Sequence, residues 1–412
     1  MLTVKEARER ILAGLDPLPP TEVGLTEAGG MVLADDLLAP HDLPRFDNSA
    51  MDGYAVKRTD VKGASTEKRV ALALAGEVKA GEVSDVAIIS GACVRIMTGA
   101  QVPPGADAVV PVEDTEETGS KVWISAEPPP HGHIRPAGDD VSTGSTVVRA
   151  GTELGPGELA LLASLGLSPV LVRGRPTVAI VTTGDELVSP EEEPGPGRIR
   201  DSNTVALRAL THESGARPAI FREVTDDLDA VTATLERAAE TADLVVSGGG
   251  VSVGRYDFVK QAVERLGRID LWRVAMQPGK PVVSGVVRGT PFLGLPGNPV
   301  SVHIGFEQFV RPAIRKLRGC SALLRPVMLA TLTEELRKKA GRLHFVRVAL
   351  AVDGPGLLAT PTGSQGSHIQ SSLVGCHGVA RFPAERTELA AGAEVEVEVW
   401  ALPEVGPPST DR

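Results

Sequence analysis

Apolar residues recur along the chain with two different periods. Val4, Ala7, Ile11 and Leu15 fall on one helical face, and Thr3 and Glu6 have the spacing of a capping box at its start. Pro17, Pro19 and Pro20 end that helix. From 45 to 140 the pattern changes to short apolar runs punctuated by glycine, at 70–75, 93–97, 108–112 and 122–125, which read as strands of a β-rich module. The Pro/Gly/His-rich stretch 128–140 reads as its exit loop, and 141–170 holds a short strand and an amphipathic helix near 158–165. From 171 to 322 strand and helix alternate. Strands are expected at 177–182, 219–223, 243–247 and 291–295, and helices at 203–213, 226–239, 258–265 and 301–317. That alternation predicts a parallel sheet with helices on both faces. Residues 323–405 return to β-like runs, ending in an alternating strand at 394–400, and 406–412 lacks an apolar anchor and is expected to be disordered.

With 412 residues the length suggests two or three domains at ~150 residues each. The 42 Lys+Arg against 53 Asp+Glu leave a net charge of −11, which argues against a general nucleic-acid binder. Only 8 Phe, 2 Tyr and 3 Trp are present, so base-stacking platforms are not expected. Cys93, Cys320 and Cys376 are far apart and form no paired motif, which suits a reducing cytoplasm. His131 and His133 read as a solvated turn rather than a metal site. No leader peptide and no membrane-spanning run is read in the chain, so a cytoplasmic location is expected.

In open parallel sheets ligands bind beyond the carboxyl ends of the strands. Four expected loops there carry chemistry. Thr182-Thr183-Gly184-Asp185-Glu186 places hydroxyls and carboxylates at the rim. Asp201-Ser202-Asn203 reads first as a helix cap, since any of the three can cap, with a helix start offered to an anion as the functional alternative. Ser247 to Gly254 runs from a strand into four glycines and two serines, whose backbone N–H groups can close on a phosphate. It matches neither the dinucleotide fingerprint nor a P-loop. Leu295-Pro296-Gly297-Asn298-Pro299 reads equally as a stiff strand–helix connector or as a functional loop, and Gln277-Pro278-Gly279-Lys280-Pro281 offers a lysine nearby that could hold a phosphate. In the β-rich module, 46–54 (FDNSAMDGY) holds more polar residues than its Asp-Gly turn needs, and Arg95 to Gly99 adds a hydroxyl. Asp52, Asp140, Glu186, Asp226 and Asp257 are loop or element-end carboxylates of a kind that suits Mg²⁺.

Residues 46–56 (FDNSAMDGYAV), 95–100 (RIMTGA), 183–187 (TGDEL), 247–254 (SGGGVSVG), 294–301 (GLPGNPVS) and 366–369 (GSHI) occur in an order that resembles the molybdopterin molybdenumtransferases, the family that includes the C-terminal domain of gephyrin. The resemblance covers roughly residues 1–402. It implies a multidomain α/β plus β fold: an elongated linker domain from 1–44 and 141–170, a β-rich domain inserted at 45–140, a three-layer α/β domain of the molybdopterin-binding type at 171–322 and a C-terminal β-barrel at 323–405. It also implies a homodimer, with the site between the α/β domain of one subunit and the β-rich domain of the other. The implied reaction inserts molybdenum from molybdate into adenylylated molybdopterin, with Mg²⁺-assisted cleavage of the adenylate and release of AMP. By motif match the catalytic residues are Asp52, Thr98, Asp140, Glu186, Asp226, Asp257 and Lys280, with Asp52, Glu186 and Asp257 on the metal. Substrate contacts fall to Ser247, Gly248, Gly249, Gly250, Ser252, Arg273, Pro296, Gly297, Asn298, Arg347 and Ser367.

The chain departs from the family in one place, carrying Gln277 where members often have Lys, so Lys280 bears more of the anion contact. Two other readings stand beside this one. An adenylyltransferase acting on molybdopterin with ATP would resemble only the α/β domain. A non-catalytic scaffold of the same fold would be expected to carry a long linker or further domain. A preceding molybdopterin adenylyltransferase is a possible partner; neither nucleic acid nor membrane is expected.

Overall fold

The computed structural model describes residues 1–83, 85–223, 227–250, 258–354 and 356–403. Asp226, Ser252, Asp257 and the expected tail 406–412 lie outside them. The chain forms two compact units. One contains residues 1–34, 151–155 and those from 170 onward, and the other contains Asp35–Ala150 and Pro156–Pro169.

The first unit opens with the helix Val4–Ala13, and its capping box is made: Thr3 Oγ1 accepts from the Glu6 N–H and Glu6 accepts from the Thr3 N–H at 2.8 Å. Its apolar stripe joins the core above a six-stranded sheet of spatial order Arg217–Glu223, Thr177–Thr183, Leu244–Gly248, Thr290–Leu295, Val283–Val287, Gly267–Trp272. Successive residues of a strand point to opposite faces. Val178 and Ile180 therefore pack with Leu207, Leu210 and Val302 on one side. Ala179 and Val181 pack with Leu235, Val259 and Val263 on the other. Burial on both faces is why these strands read as unbroken apolar runs.

The sheet is not wholly parallel as the alternation predicts. Val283–Val287 runs antiparallel to both neighbours. It reaches Thr290–Leu295 through a hairpin with Arg288 at φ 49° and Gly289 at φ 90°, a turn whose two positive φ values match the twist of the strands. The expected long helix is present as Pro299–Gly305, a π-helical turn Phe306–Val310, and Arg311–Leu317. Pro312, which has no N–H to give and a ring that crowds the preceding turn, accounts for the π step.

The C-terminal part closes as a five-stranded barrel. Leu343–Asp353 pairs with both Gly356–Pro361 and Gly378–Phe382, and Val327–Leu332 and Glu394–Val399 complete the ring. Alternate residues Val346, Val348 and Leu350 fill it with Phe382, Val395 and Val397.

In the second unit a six-stranded sheet runs in the order Ala108–Pro111, Gly53–Val56, Ala92–Ile96, Val70–Val78, Lys121–Ile124, Thr115–Thr118. Gly53 is obligatory there, because a Cβ would stand 2.0 Å from the Val110 carbonyl oxygen. Among the described residues no helix is long and apolar enough to cross a membrane.

Candidate functional site

Three parallel strands of the first unit end side by side, at Thr183, Gly248 and Leu295. Their loops interlock. The Gly249 N–H donates to the Leu295 carbonyl at 2.9 Å. Gly250 has φ 68°, and a Cβ there would meet Val259 at 2.3 Å, so the turn needs glycine twice over. Asn203, in the first turn of the helix Ser202–Glu213, donates from Nδ2 to the Gly297 carbonyl at 2.7 Å. Gly184, at φ 147°, lies beside the Glu186 carboxylate.

These loops and the barrel loop 365–367 border a cleft of about 710 Å³. Glu186, Lys280, Pro296, Gly297, Asn298 and Ser367, all expected at the site, line it together. Asn298 Nδ2 donates to Ser367 Oγ at 3.1 Å, and the Val300 N–H donates to the Ser367 carbonyl at 3.3 Å, so the barrel loop is fastened to the helix start. A 710 Å³ cleft is of small-ligand size, and it offers one carboxylate, two cations and several amide and hydroxyl groups.

Other expected residues stand elsewhere. Arg347 is fully buried behind the barrel loop. Its guanidinium donates to the carbonyls of Ser364, Gln365 and Gly366 at 3.2 Å each and to Ser372 Oγ at 3.0 Å. Burial pulls it down to about 10. It shapes the cleft wall without reaching the cleft. Ser247 is buried on the strand, and its hydroxyl has no hydrogen-bond partner among the described residues. Gly248, Gly249 and Gly250 do not line the cleft; of the three, Gly249 lies next to Gly297. Arg273 is exposed with φ 90° and does not line the cleft. Asp201 acts as the cap: it accepts from the Thr204 N–H at 3.0 Å and from the Thr182 and Thr204 hydroxyls. Arg342 and Gln365 line the cleft although no motif marks them, and Ser301, the last residue of the 294–301 motif, lines it without having been singled out; the Gly341-Arg342 step before an apolar strand is the one signal that could have found Arg342.

In the second unit Asp52 and Thr98 meet. Asp52 Oδ1 accepts from the Thr98 N–H at 2.7 Å and from its hydroxyl at 2.8 Å. These bonds, the backbone one first, hold the Asp52 carboxyl below the ordinary aspartate range. Asp140 is exposed, and its N–H donates to the Leu43 carbonyl at 3.0 Å. The surrounding motif explains itself locally: Asp47 accepts from the Ala137 N–H, Ser49 bonds to Met51, and the Tyr54 hydroxyl donates to Glu117 at 2.6 Å.

Mg²⁺ usually takes one or two carboxylates and completes its shell with water and substrate phosphate. Among the described residues no three His, Cys, Asp or Glu form a ready-made metal cluster. The exposed Glu186 carboxylate on the cleft fits the sparser arrangement.

Residues 2–166 match the MoeA N-terminal region (domains I and II), 179–316 a probable molybdopterin binding domain, and 329–400 the MoeA C-terminal region (domain IV). The chain is similar to molybdopterin molybdenumtransferase 2 of Mycobacterium tuberculosis, 38% identical over 98% of this chain and 100% of the relative. It is 36% identical to molybdopterin molybdenumtransferase of Haemophilus influenzae, over 97% of this chain and 98% of that one. The molybdopterin biosynthesis moeA protein of Pyrococcus horikoshii superposes with a TM-score of 0.83 at 28% identity, covering 97% of this chain and all of that one (100%).

Proposed function

The chain belongs to the MoeA family of molybdopterin molybdenumtransferases, and from that membership we propose that it inserts molybdenum from molybdate into adenylylated molybdopterin, breaking the adenylate and releasing AMP. It is a transferase of molybdenum cofactor biosynthesis. The observation that carries the reading is the convergence of Glu186, Lys280, Asn298 and Ser367 on one cleft at the carboxyl ends of the strands.

Lys280 supplies a point charge for a phosphate or molybdate oxygen, and the amide of Asn298 and the hydroxyl of Ser367 orient it. The glycine turn shapes the pterin side of the site, with the Gly249 N–H held by the Leu295 carbonyl and not offered to a phosphate. Glu186 from the cleft, with Asp52 of the β-rich unit and Asp257, would hold Mg²⁺, and the bound ion would supply positive charge to offset that of the phosphates. Most of the rate gain comes from positioning and charge stabilisation. We further propose a homodimer whose site draws Asp52 and Thr98 from the second subunit, a cytoplasmic location, and delivery of the substrate by the preceding adenylyltransferase.

Purified protein given adenylylated molybdopterin, Mg²⁺ and molybdate should release AMP, and release should require molybdate. AMP release at the same rate without molybdate would remove the insertion step. Consumption of ATP with bare molybdopterin would replace the reading by an adenylyltransferase.

A further inference from the structure

The 46–54 motif of the second unit holds polar residues before Asp52 that the proposed reaction does not use, and their place in the fold gives them work. Asp47 to Ala50 lies between two loops. On one side the Asp47 carbonyl accepts from the Val102 N–H at 2.9 Å, the Ser49 N–H donates to the Ala100 carbonyl at 3.0 Å, and the Ser49 carbonyl accepts from the Gly99 N–H at 2.8 Å. That loop carries Thr98. On the other side Asn48 and Ser49 pair with Arg135 and Ile134, and the Ala50 N–H donates to the His133 carbonyl at 2.8 Å. This second loop leads to Asp140.

The second loop is then laid back along residues 42–47. Asp47 Oδ1 accepts from the Ala137 N–H at 2.8 Å. The Pro44 carbonyl accepts from the Gly138 N–H at 3.0 Å, and the Leu43 carbonyl accepts from the N–H groups of Asp140 and Val141 at 3.0 Å each. Asp42 Oδ1 closes the far end, taking the Thr143 N–H at 2.7 Å and the Thr143 hydroxyl at 2.6 Å. Gly138, at φ 75°, lets the chain turn between these points. Two carboxylates thus grip the loop that presents Asp140, one at each end, and Asp140 itself stays exposed between them.

We propose that Asp47 is a positioning residue for Asp140. Its carboxylate takes the Ala137 N–H and so sets the loop from which Asp140 acts, while its own carbonyl braces the loop of Thr98. One residue thereby sets the spacing between two residues of the reaction without touching substrate. A carboxylate bonded to a backbone N–H is a stronger tie than a neutral pair, and a catalytic group that shifts by even a fraction of its reach loses rate steeply. The inference rests on the proposed function in taking Asp140 as a residue of that reaction.

AMP release by the full-length protein, given adenylylated molybdopterin, Mg²⁺ and molybdate, tests it. Asp47→Ala should slow release by about tenfold, the loss of one charge-assisted hydrogen bond. Asp47→Asn keeps an oxygen for the Ala137 N–H and should recover most of that loss. Added to Asp140→Ala, Asp47→Ala should cost nothing further, because nothing is left to position; a separate structural role would lower the rate again. Hydrogen exchange read by mass spectrometry should quicken at the Ala137 amide in Asp47→Ala and not in Asp47→Asn. Wild-type turnover by Asp47→Ala, a further loss in the double variant, unchanged exchange, or Asp47→Asn as slow as Asp47→Ala overturns the inference. So does full activity of Asp140→Ala. Wild-type protein that releases no AMP overturns the proposed function and this inference with it, and is told apart because that failure precedes any substitution.

Discussion

Thr98 gives its backbone N–H and its hydroxyl to a single oxygen of Asp52, at 2.7 and 2.8 Å. The contact follows from strand register. Gly53 pairs with Ile96, so the residue before one strand and the second residue after the other are brought to the same edge. Thr98→Val keeps the backbone donor and removes the hydroxyl. The folded pKa of Asp52 lies below its unfolded value, so the stabilisation is present above the ordinary aspartate range and is lost as pH falls through the folded value. The variant should melt below wild type at neutral pH, with the difference fading in acid. A difference that is independent of pH would show that the loss is one of packing.

Gly53→Ala should prevent this site from assembling. The added Cβ would lie 2.0 Å from the Val110 carbonyl oxygen and 2.9 Å from its carbon, both rigid backbone atoms of the paired strand. Overpacking of that kind costs about 1–3 kcal/mol when neighbours give way, and here the neighbour is a ladder. The expected outcome is a loss of at least about 2 kcal/mol in urea unfolding, or insoluble protein. Wild-type stability would mean that the two strands separate at that point.

Much of the fold was legible because burial writes itself into the order of apolar residues. The strands at Thr177–Thr183 and Leu244–Gly248 are covered on both faces and read as continuous runs. The reversed strand Val283–Val287 was missed because Ser284 and Gly285 interrupt it and because its turn, Arg288-Gly289, lacks the usual Asn-Gly or Asp-Gly signal. At the cleft the motif glycines and Lys280 were readable from spacing and from family resemblance. Arg342 was not, since a side chain becomes a cleft residue through the three-dimensional meeting of the barrel with the loop at 277–280, and neither element announces the other in sequence. Arg347 matched a family position but not an exposed one. Only the fold shows that its donors are already taken by Ser364, Gln365 and Gly366.

Arg347→Lys should damage the cleft through its wall. A single ammonium does not reproduce four directed bonds, so at least one or two buried carbonyls lose their donor, at about 1–3 kcal/mol each. The variant should unfold at lower urea by about 2 kcal/mol or more. Molybdate titration should weaken in parallel, because Ser367 is carried on the same loop. Full stability with weakened binding would instead place Arg347 in direct contact with the anion.

Asp52→Ala and Glu186→Ala test whether the two carboxylates serve one site. Each variant alone should fold, since both side chains are exposed, and each should lose AMP release. If a site takes Asp52 from one subunit and Glu186 from the other, a mixed dimer carries one doubly defective site and one intact site. Random exchange of subunits at equal concentrations makes half of the dimers mixed, and each of these has one working site of two. Mixing should therefore recover about a quarter of wild-type activity per subunit, provided that exchange is complete. Exchange is verified by mass spectrometry of differently tagged subunits. If both residues belonged to one subunit's site, every site in the mixture would lack one carboxylate and activity would stay at the level of the single variants. Recovery near a quarter thus reports subunit stoichiometry and site composition in one measurement, and its absence after proven exchange would confine the site to a single chain.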